Sequence, residues 1–382
     1  MRIFCGLSIL LIMSSAILVN AEETEKTENV TALQSDRFTN NEGTPAENMF
    51  SKLMANTPAG FSLGSWMSVG NGGLADSSVS TGALDDGTVG VNQLGISMKK
   101  AGERVSFQMD ALYGRDAGYF QGHHNDGNNW DNSAGFDRGG GYALALPQFY
   151  MTTNYGDTTL KLGHFLADSH TGHYSSDRFF ATRTVAEVSL SPYTLNGVVA
   201  HRTIGQVDYH IGWSSGINVA FNTMAGVIIE NPNATAEDTF VFGAKTNLGE
   251  NTRLRYNGYA GALSGFNARS GQIISEEYSH DLSVSHKVND KLTMELYYGT
   301  KEGSWFNIQA FRQSAFYQLN DKLTIGHRFE NIRGIDKGRT HTVGLNIHSS
   351  KIENLKLRPE IRYSKVGTVD NTSFFMDAVL TY

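Results

Sequence analysis

The sequence predicts an all-β fold: a transmembrane antiparallel β-barrel of about sixteen strands. Three observations carry that reading. From Ala59 onward apolar residues recur at every second position, connections alternate between short and long, and strand charges gather on one face. A period of two places alternate side chains on opposite sides of a strand. An even number of such strands with turns at one end and loops at the other describes a barrel crossing a bacterial outer membrane.

The strands follow in order. Phe61, Leu63, Met67 and Val69 share one face of the first, and Leu94, Ile96 and Met98 one face of the second. Val105, Phe107, Met109, Ala111 and Tyr113 line the third, opposite Arg104, Ser106, Gln108 and Asp110. Further strands are expected near 142–153, 158–166, 194–203, 207–214, 238–247, 253–262, 277–288 and 291–300. The last five fall near 305–319, 323–331, 340–348, 355–363 and 374–382. Short turns lie at 100–103, 154–157, 204–206, 248–251, 289–290, 320–321 and 351–354, and longer polar connections separate them. The largest span 114–141, 167–193 and 214–237. This puts both termini on the short-turn, periplasmic side, with long extracellular loops opposite. Asn-Asp-Lys-Leu-Thr occurs at 289–293 and again at 320–324, one turn chemistry used twice.

Charge decides which face meets lipid. In 355–363, Leu355, Leu357, Ile361 and Tyr363 oppose Lys356, Arg358, Glu360 and Arg362. Turning a basic side chain to lipid costs roughly 2–4 kcal/mol near the midplane, so the charged face turns inward. The same reasoning places Lys161 inside against Leu160 and Leu162, Arg253 and Arg255 against Leu254 and Tyr256, and Glu295 against Met294 and Leu296. With Arg104 these form the expected pore lining. Asp110, Asp208, Glu295, Glu330 and Glu360 nearly balance the bases, leaving ion preference open. Some positions break the pattern. His280, His286 and His327 fall on the apolar face, 305–319 has no clean face, and Pro147 and Pro359 cannot donate a ladder hydrogen bond.

The ends supply the compartment. Arg2 precedes an apolar run from Ile3 to Val19, and Val19-Asn20-Ala21 forms a small-residue cleavage site. Residues 1–21 therefore read as a secretory signal peptide, with a retained anchor as the alternative. The single cysteine, Cys5, lies within it, so the mature chain would have no thiol or disulfide. Residues 22–58 form a polar periplasmic leader in which Thr44-Pro45-Ala46-Glu47 is a capping box opening a short helix. Residues 59–382 form the barrel. At the other end Phe374, Met376, Ala378, Leu380 and Tyr382 make an unbroken apolar face closing on an aromatic. Such an ending resembles the assembly signal of outer-membrane barrels, read by the barrel-assembly machinery. A net charge of −7 argues against nucleic acid as partner. Hydrophobic content of 40% and mean hydropathy of −0.30 would suggest a soluble protein, except that half of each barrel strand faces water.

The region from Phe61 to Trp213 resembles the OmpL-like, porin-2 type outer-membrane β-barrel porins. The resemblance rests on Gly60-Phe61-Ser62-Leu63-Gly64-Ser65-Trp66 with Asn71, and on Leu160-Lys161-Leu162-Gly163-His164-Phe165. It continues through Phe179-Phe180-Ala181-Thr182-Arg183 and Pro192-Tyr193-Thr194-Leu195-Asn196-Gly197-Val198. His164 stands where the family has a basic residue, and Leu195-Asn196 where it has a Thr-His pair. The resemblance implies a barrel and a pore, without a substrate.

Catalytic and metal motifs are thin. Gly212-Trp213-Ser214-Ser215-Gly216 matches a nucleophile elbow, yet it closes a strand and no helix follows. His164, His170 and His173 lie near Asp168 and Asp177, a loose metal pattern in a polar loop, and His123-His124 with Asn125 to Asn132 lacks calcium-loop spacing. No cofactor, metal or reaction is expected. The connection 167–193 carries Asp168, Asp177, Arg178, Arg183 and Glu187. Folded inward, it would constrict the lumen and set its acids against Lys161, Arg253, Arg255, Arg358 and Arg362; outside, it is a surface loop. The function expected is passive diffusion of small hydrophilic solutes through a barrel in outer-membrane lipid, for which a homotrimer suits the strand count. The alternatives are a non-conducting adhesin or structural barrel and, behind it, a lipid-modifying enzyme.

Overall fold

A computed structural model of the protein describes residues 61–71, 89–117, 120, 142–168, 172–217, 239–261, 277–303, 306–334 and 337–382. All lie within the compact unit Asn40–Tyr382. The expected signal peptide (1–21) and the leader with its capping box (22–58) lie outside the described residues.

The first five strands are β1 (Phe61–Gly70), β2 (Gly90–Lys100), β3 (Val105–Gly114), β4 (Ala143–Tyr155) and β5 (Thr158–Leu166). A one-and-a-half-turn helix, α1 (Val185–Leu190), precedes β6 (Thr194–Ile204), β7 (Val207–Ile217), β8 (Thr239–Leu248), β9 (Thr252–Gly261) and β10 (Glu277–Lys287). The chain continues through β11 (Leu292–Gly303), β12 (Phe306–Asn320), β13 (Leu323–Arg333), β14 (Gly338–His348), β15 (Leu355–Val366) and β16 (Val369–Thr381). Each strand pairs antiparallel with its sequence neighbours, and the sheet closes into a barrel where β1 meets β16. There Trp66–Gly70 runs against Asp377–Thr381. Closure leaves no unpaired edge for lipid, which cannot satisfy backbone polar groups.

β15 shows which face is inside. Arg358, Glu360 and Arg362 are 1, 2 and 3% exposed, while Ile361 between them is 55% exposed. The outward face carries large exposed apolar side chains all round: Leu94, Ile96, Tyr113, Phe149, Ile211, Trp213, Phe240, Tyr298, Val343 and Phe374. A soluble domain would bury these; a barrel turns them to hydrocarbon.

At the short-turn end the Asn residues explain the repeated motif. Asn289 Oδ1 accepts the Lys291 and Leu292 N–H groups at 2.9 and 3.0 Å, and Asn320 Oδ1 accepts that of Lys322 at 2.9 Å. The β6–β7 hairpin instead needs Gly205 at φ 62°, a left-handed conformation that side chains disfavour.

Several expectations change. β16 begins at Val369 and not near 374, because 364–373 belongs to a tight β15–β16 hairpin through Gly367. Long connections alternate with short ones only as far as β9–β10; the β11–β12, β13–β14 and β15–β16 connections are all brief. β12 has two faces after all. Its inner face holds Ile308, Ala310 and Arg312, and the first two pack with Val185, Ala186, Leu190, Tyr297 and Ile332. A lumen face covered by a helix is apolar, which erased the alternation in the sequence.

Both prolines sit at irregularities. Pro147 lies beside the β3–β4 register shift at Asp110/Leu112. Pro359 pairs with Met376 on one side, and the β14 ladder skips it on the other. The outward histidines find polar or ring neighbours: His280 Nδ1 lies 2.7 Å from Tyr256 Oη, His286 Nδ1 lies 2.8 Å from Thr252 Oγ1, and His327 stacks on His341 with centroids 5.7 Å apart.

Candidate functional site

The described residues of the third long connection, 167–168 and 172–193, lie inside the barrel. Its residues contact inner-face side chains from β2 around through β16 to β10, and three groups of contacts hold it.

The first group is on β1 to β3 and the segment just after β3. Gln93 Oε1 accepts the Ser175 N–H at 2.8 Å and the Trp66 indole N–H at 2.9 Å, while its Nε2 donates to Asp116 at 2.7 Å. Asp116 also takes Arg183 at 3.1 Å and Arg178 at 3.6 Å. Tyr174 donates to Asp110 at 2.6 Å; burial and then the Asp110 charge hold its phenol well above the ordinary tyrosine value. Arg183 lies over the rings of Phe120 and Tyr193, both about 5 Å away.

The second group is on β13 to β16. Glu360 accepts the Ala181 N–H at 2.8 Å, the Thr182 N–H at 3.3 Å and the Thr182 hydroxyl. Glu330 accepts the Thr184 hydroxyl at 2.5 Å and the Ala186 N–H at 3.0 Å, and pairs with Arg328 at 3.0 Å and Arg362 at 3.4 Å. Arg358 donates to the Ser175 and Arg178 carbonyls at 2.8 and 2.7 Å while its other guanidinium edge grips Asp377 at 2.5 and 2.8 Å. Lys356 donates to the Ser176 carbonyl at 2.9 Å. The third group seats α1. Ser279 donates to the Leu190 carbonyl at 2.7 Å, and Ser191 to Asp281 at 3.0 Å. Buried ions survive here because nearly every one has an opposite charge or a backbone dipole in reach.

The expected pore lining therefore divides. Arg358, Glu360 and Arg362 face inward but are buried as loop anchors, and Lys356 joins them. Glu295 also faces inward, 3.6 Å from Arg312. Lys161, Arg253 and Arg255 are half-buried on the inner wall away from those anchors, and Lys161 Nζ sits over Tyr150 and Phe165 at 4.2 and 4.6 Å. Arg104 is exposed in the turn before β3, because the strand starts one residue later than its alternation suggested.

The loop residues also divide. Arg178 and Arg183 are buried against Asp116, whereas Asp177 accepts from Ser176 at 3.2 Å. Asp168 answers the basic wall: burial alone would raise its carboxyl, but Arg255, His210, Lys245 and His201 hold it well below the usual carboxylate range. Glu187 lies in α1, its side chain outside the described residues. A row of loop acids opposing Arg358 and Arg362 does not form; those guanidiniums take loop carbonyls and barrel carboxylates. Asp116, Asp281, Arg328 and Arg312 were missed by sequence reasoning. For Asp116, Asp281 and Arg328 the telling partners, Arg183, Ser191 and Thr182, lie far away in the sequence, and Arg312 sits in a strand whose faces the sequence does not separate.

The other motifs resolve simply. Ser214 of the Gly-x-Ser-x-Gly match is buried in β7, bonding the Asn196 backbone at 3.1 Å where β6 bulges. His173 Nε2 lies 2.6 Å from the Ala167 carbonyl, and His164 contacts Asn196. Among the described residues no group of His, Cys, Asp and Glu is arranged to hold a metal. His170, His123 and His124 lie outside them.

The terminal strand is placed as its pattern demands. Phe374, Met376, Ala378, Leu380 and Tyr382 share the outward face, and Tyr382 exchanges backbone hydrogen bonds with Ser65 at 2.8 and 2.9 Å. Asp377 turns inward to Arg358 and Ser68.

A closed sixteen-stranded antiparallel barrel with an apolar exterior and a loop in its lumen defines a bacterial outer-membrane porin channel. The chain belongs to the family described as "Putative beta-barrel porin-2, OmpL-like", whose profile matches residues 70–379. The fold is similar to the outer membrane channel DcaP of Acinetobacter baumannii, with TM-score 0.55, 11% identity, 85% of this chain and 98% of that one covered. It is also similar to OprB of Pseudomonas putida, with TM-score 0.56, 13% identity and coverage of 87% and 96%. The trimer form of Vibrio cholerae OmpT matches with TM-score 0.50, 10% identity and coverage of 84% and 99%. No curated protein matches the sequence.

Proposed function

We propose that this porin admits small hydrophilic solutes by passive diffusion, with the loop 167–193 setting its bore. The observation that carries this reading is the loop pinned along the lumen by Gln93, Asp116, Glu330, Arg358 and Glu360. A segment so fixed narrows a pore without closing it on demand. Residues 1–21 would direct export, 22–58 would remain periplasmic, and the apolar strand ending at Tyr382 would present the chain to the assembly machinery and lipid. A homotrimer is the assembly we favour, since a trimer form occurs among the similar folds. A second reading, a non-conducting structural barrel, draws on the same dense anchoring. Purified, refolded protein in planar bilayers separates the two. Diffusion predicts discrete conductance steps at either voltage polarity; a silent membrane containing inserted barrel would favour the second.

A further inference from the structure

The loop anchors leave the inner wall of β5 to β9 with a charge balance of its own. On the anchored side, ions come in opposed sets: Arg358 with Asp377, Arg328 and Arg362 with Glu330, Arg178 and Arg183 with Asp116. Those side chains are buried. On β5 to β9 the inward face instead carries Lys161, Lys245, Arg253 and Arg255, all half-buried, with Asp208 as the strand acid there and Asp168 reaching in from the loop. That is four cations against two carboxylates.

Lys245 stands directly opposite Arg255, a like-charge cross-strand pair, and Asp168 reaching in from the loop faces both, one carboxylate for two cations. Asp208 is opposite Lys245 on the other side, where its Oδ1 also accepts from Thr203 Oγ1 at 2.5 Å. The group sits toward the short-turn end, where β8 ends at Leu248 and β9 begins at Thr252.

We infer that the inner wall of β5 to β9, centred on Lys245 and Arg255, attracts small anions and makes the channel anion-selective. Basic side chains lining a low-dielectric passage raise the local concentration of anions and repel cations. The solute class this favours is small carboxylates, phosphates and inorganic anions. The inference rests on the diffusion reading, and one experiment distinguishes their failures.

The measurement is the reversal potential of the full mature chain in planar bilayers under a potassium chloride gradient. The wild type should show chloride permeating more readily than potassium, K245E/R255E should invert that order, and K245Q/R255Q should fall between. R202E, a charge change on the outward rim beside Asp157, should leave the reversal potential where it was. Steps with potassium preferred in the wild type would overturn the inference and leave the channel reading intact, as would a shift with R202E equal to that with K245E/R255E. Absence of any steps would instead sink the diffusion reading beneath it. If the glutamate variants do not insert, the wild-type sign and the glutamine variant still decide.

Discussion

Glu360 shows how a single side chain sets the bore. Its carboxylate is 2% exposed and receives two backbone N–H groups and a hydroxyl from Ala181 and Thr182. Removing it leaves buried donors unanswered beside Arg328, itself bonded to Thr182 at 3.0 and 3.2 Å. Breaking a buried charge arrangement on one side costs about 3–5 kcal/mol. Glu360→Ala should lower the thermal unfolding midpoint of the refolded barrel and add current noise as the loop loosens. Glu360→Gln, which keeps volume and one acceptor, should do less of both; equal midpoints for wild type and both variants would refute the anchor. At this scale the sequence showed direction but not partnership. Alternation placed Arg358, Glu360 and Arg362 inside because lipid rejects charge, yet the loop backbone they bond lies about 180 residues earlier in the chain, where no periodicity reaches. Arg104 was misplaced because strand ends fray in pattern before they end in structure.

The elements were legible in proportion to what faced them. β1, β3, β15 and β16 have lipid on one side and at least one buried polar or charged group on the other (Ser68, Asp110, Arg358, Asp377), so enough of their alternation survives in the sequence. β12 has α1 against its lumen face, which made both faces mixed. The start of β16 was hidden because the β15–β16 hairpin carries Asp370, Asn371, Thr372 and Ser373, polar residues that read as a loop. Sequence alone left the loop 167–193 undecided between lumen and surface, since its buried ions look like solvated ones. The end of β16 yields an element-scale prediction. Tyr382 contributes two backbone bonds to β1 and an exposed aromatic at the rim. Deleting it should slow membrane insertion and lower the folded yield while leaving the unit conductance of inserted molecules unchanged. Normal assembly of the truncated chain, or altered unit conductance, would count against that role.

Over the whole molecule, sixteen strands close a wall whose exterior is apolar and whose interior is divided unequally. One side, β10 to β16 with β1 to β4, is filled by the loop and its ion pairs; the other, β5 to β9, keeps the half-buried basic residues. Closure through β1 and β16 does not run through the loop, because the ladder hydrogen bonds connect every strand without it, although the loop's buried contacts add to the wall's stability. The bore and the wall are therefore separable properties. The most direct test compares single-channel conductance of the wild type with that of a chain in which residues 172–190 are replaced by a short glycine-serine linker. The account predicts that both insert as barrels and that the shortened chain passes a severalfold larger current per step. Equal conductance in the two inserted barrels would contradict it.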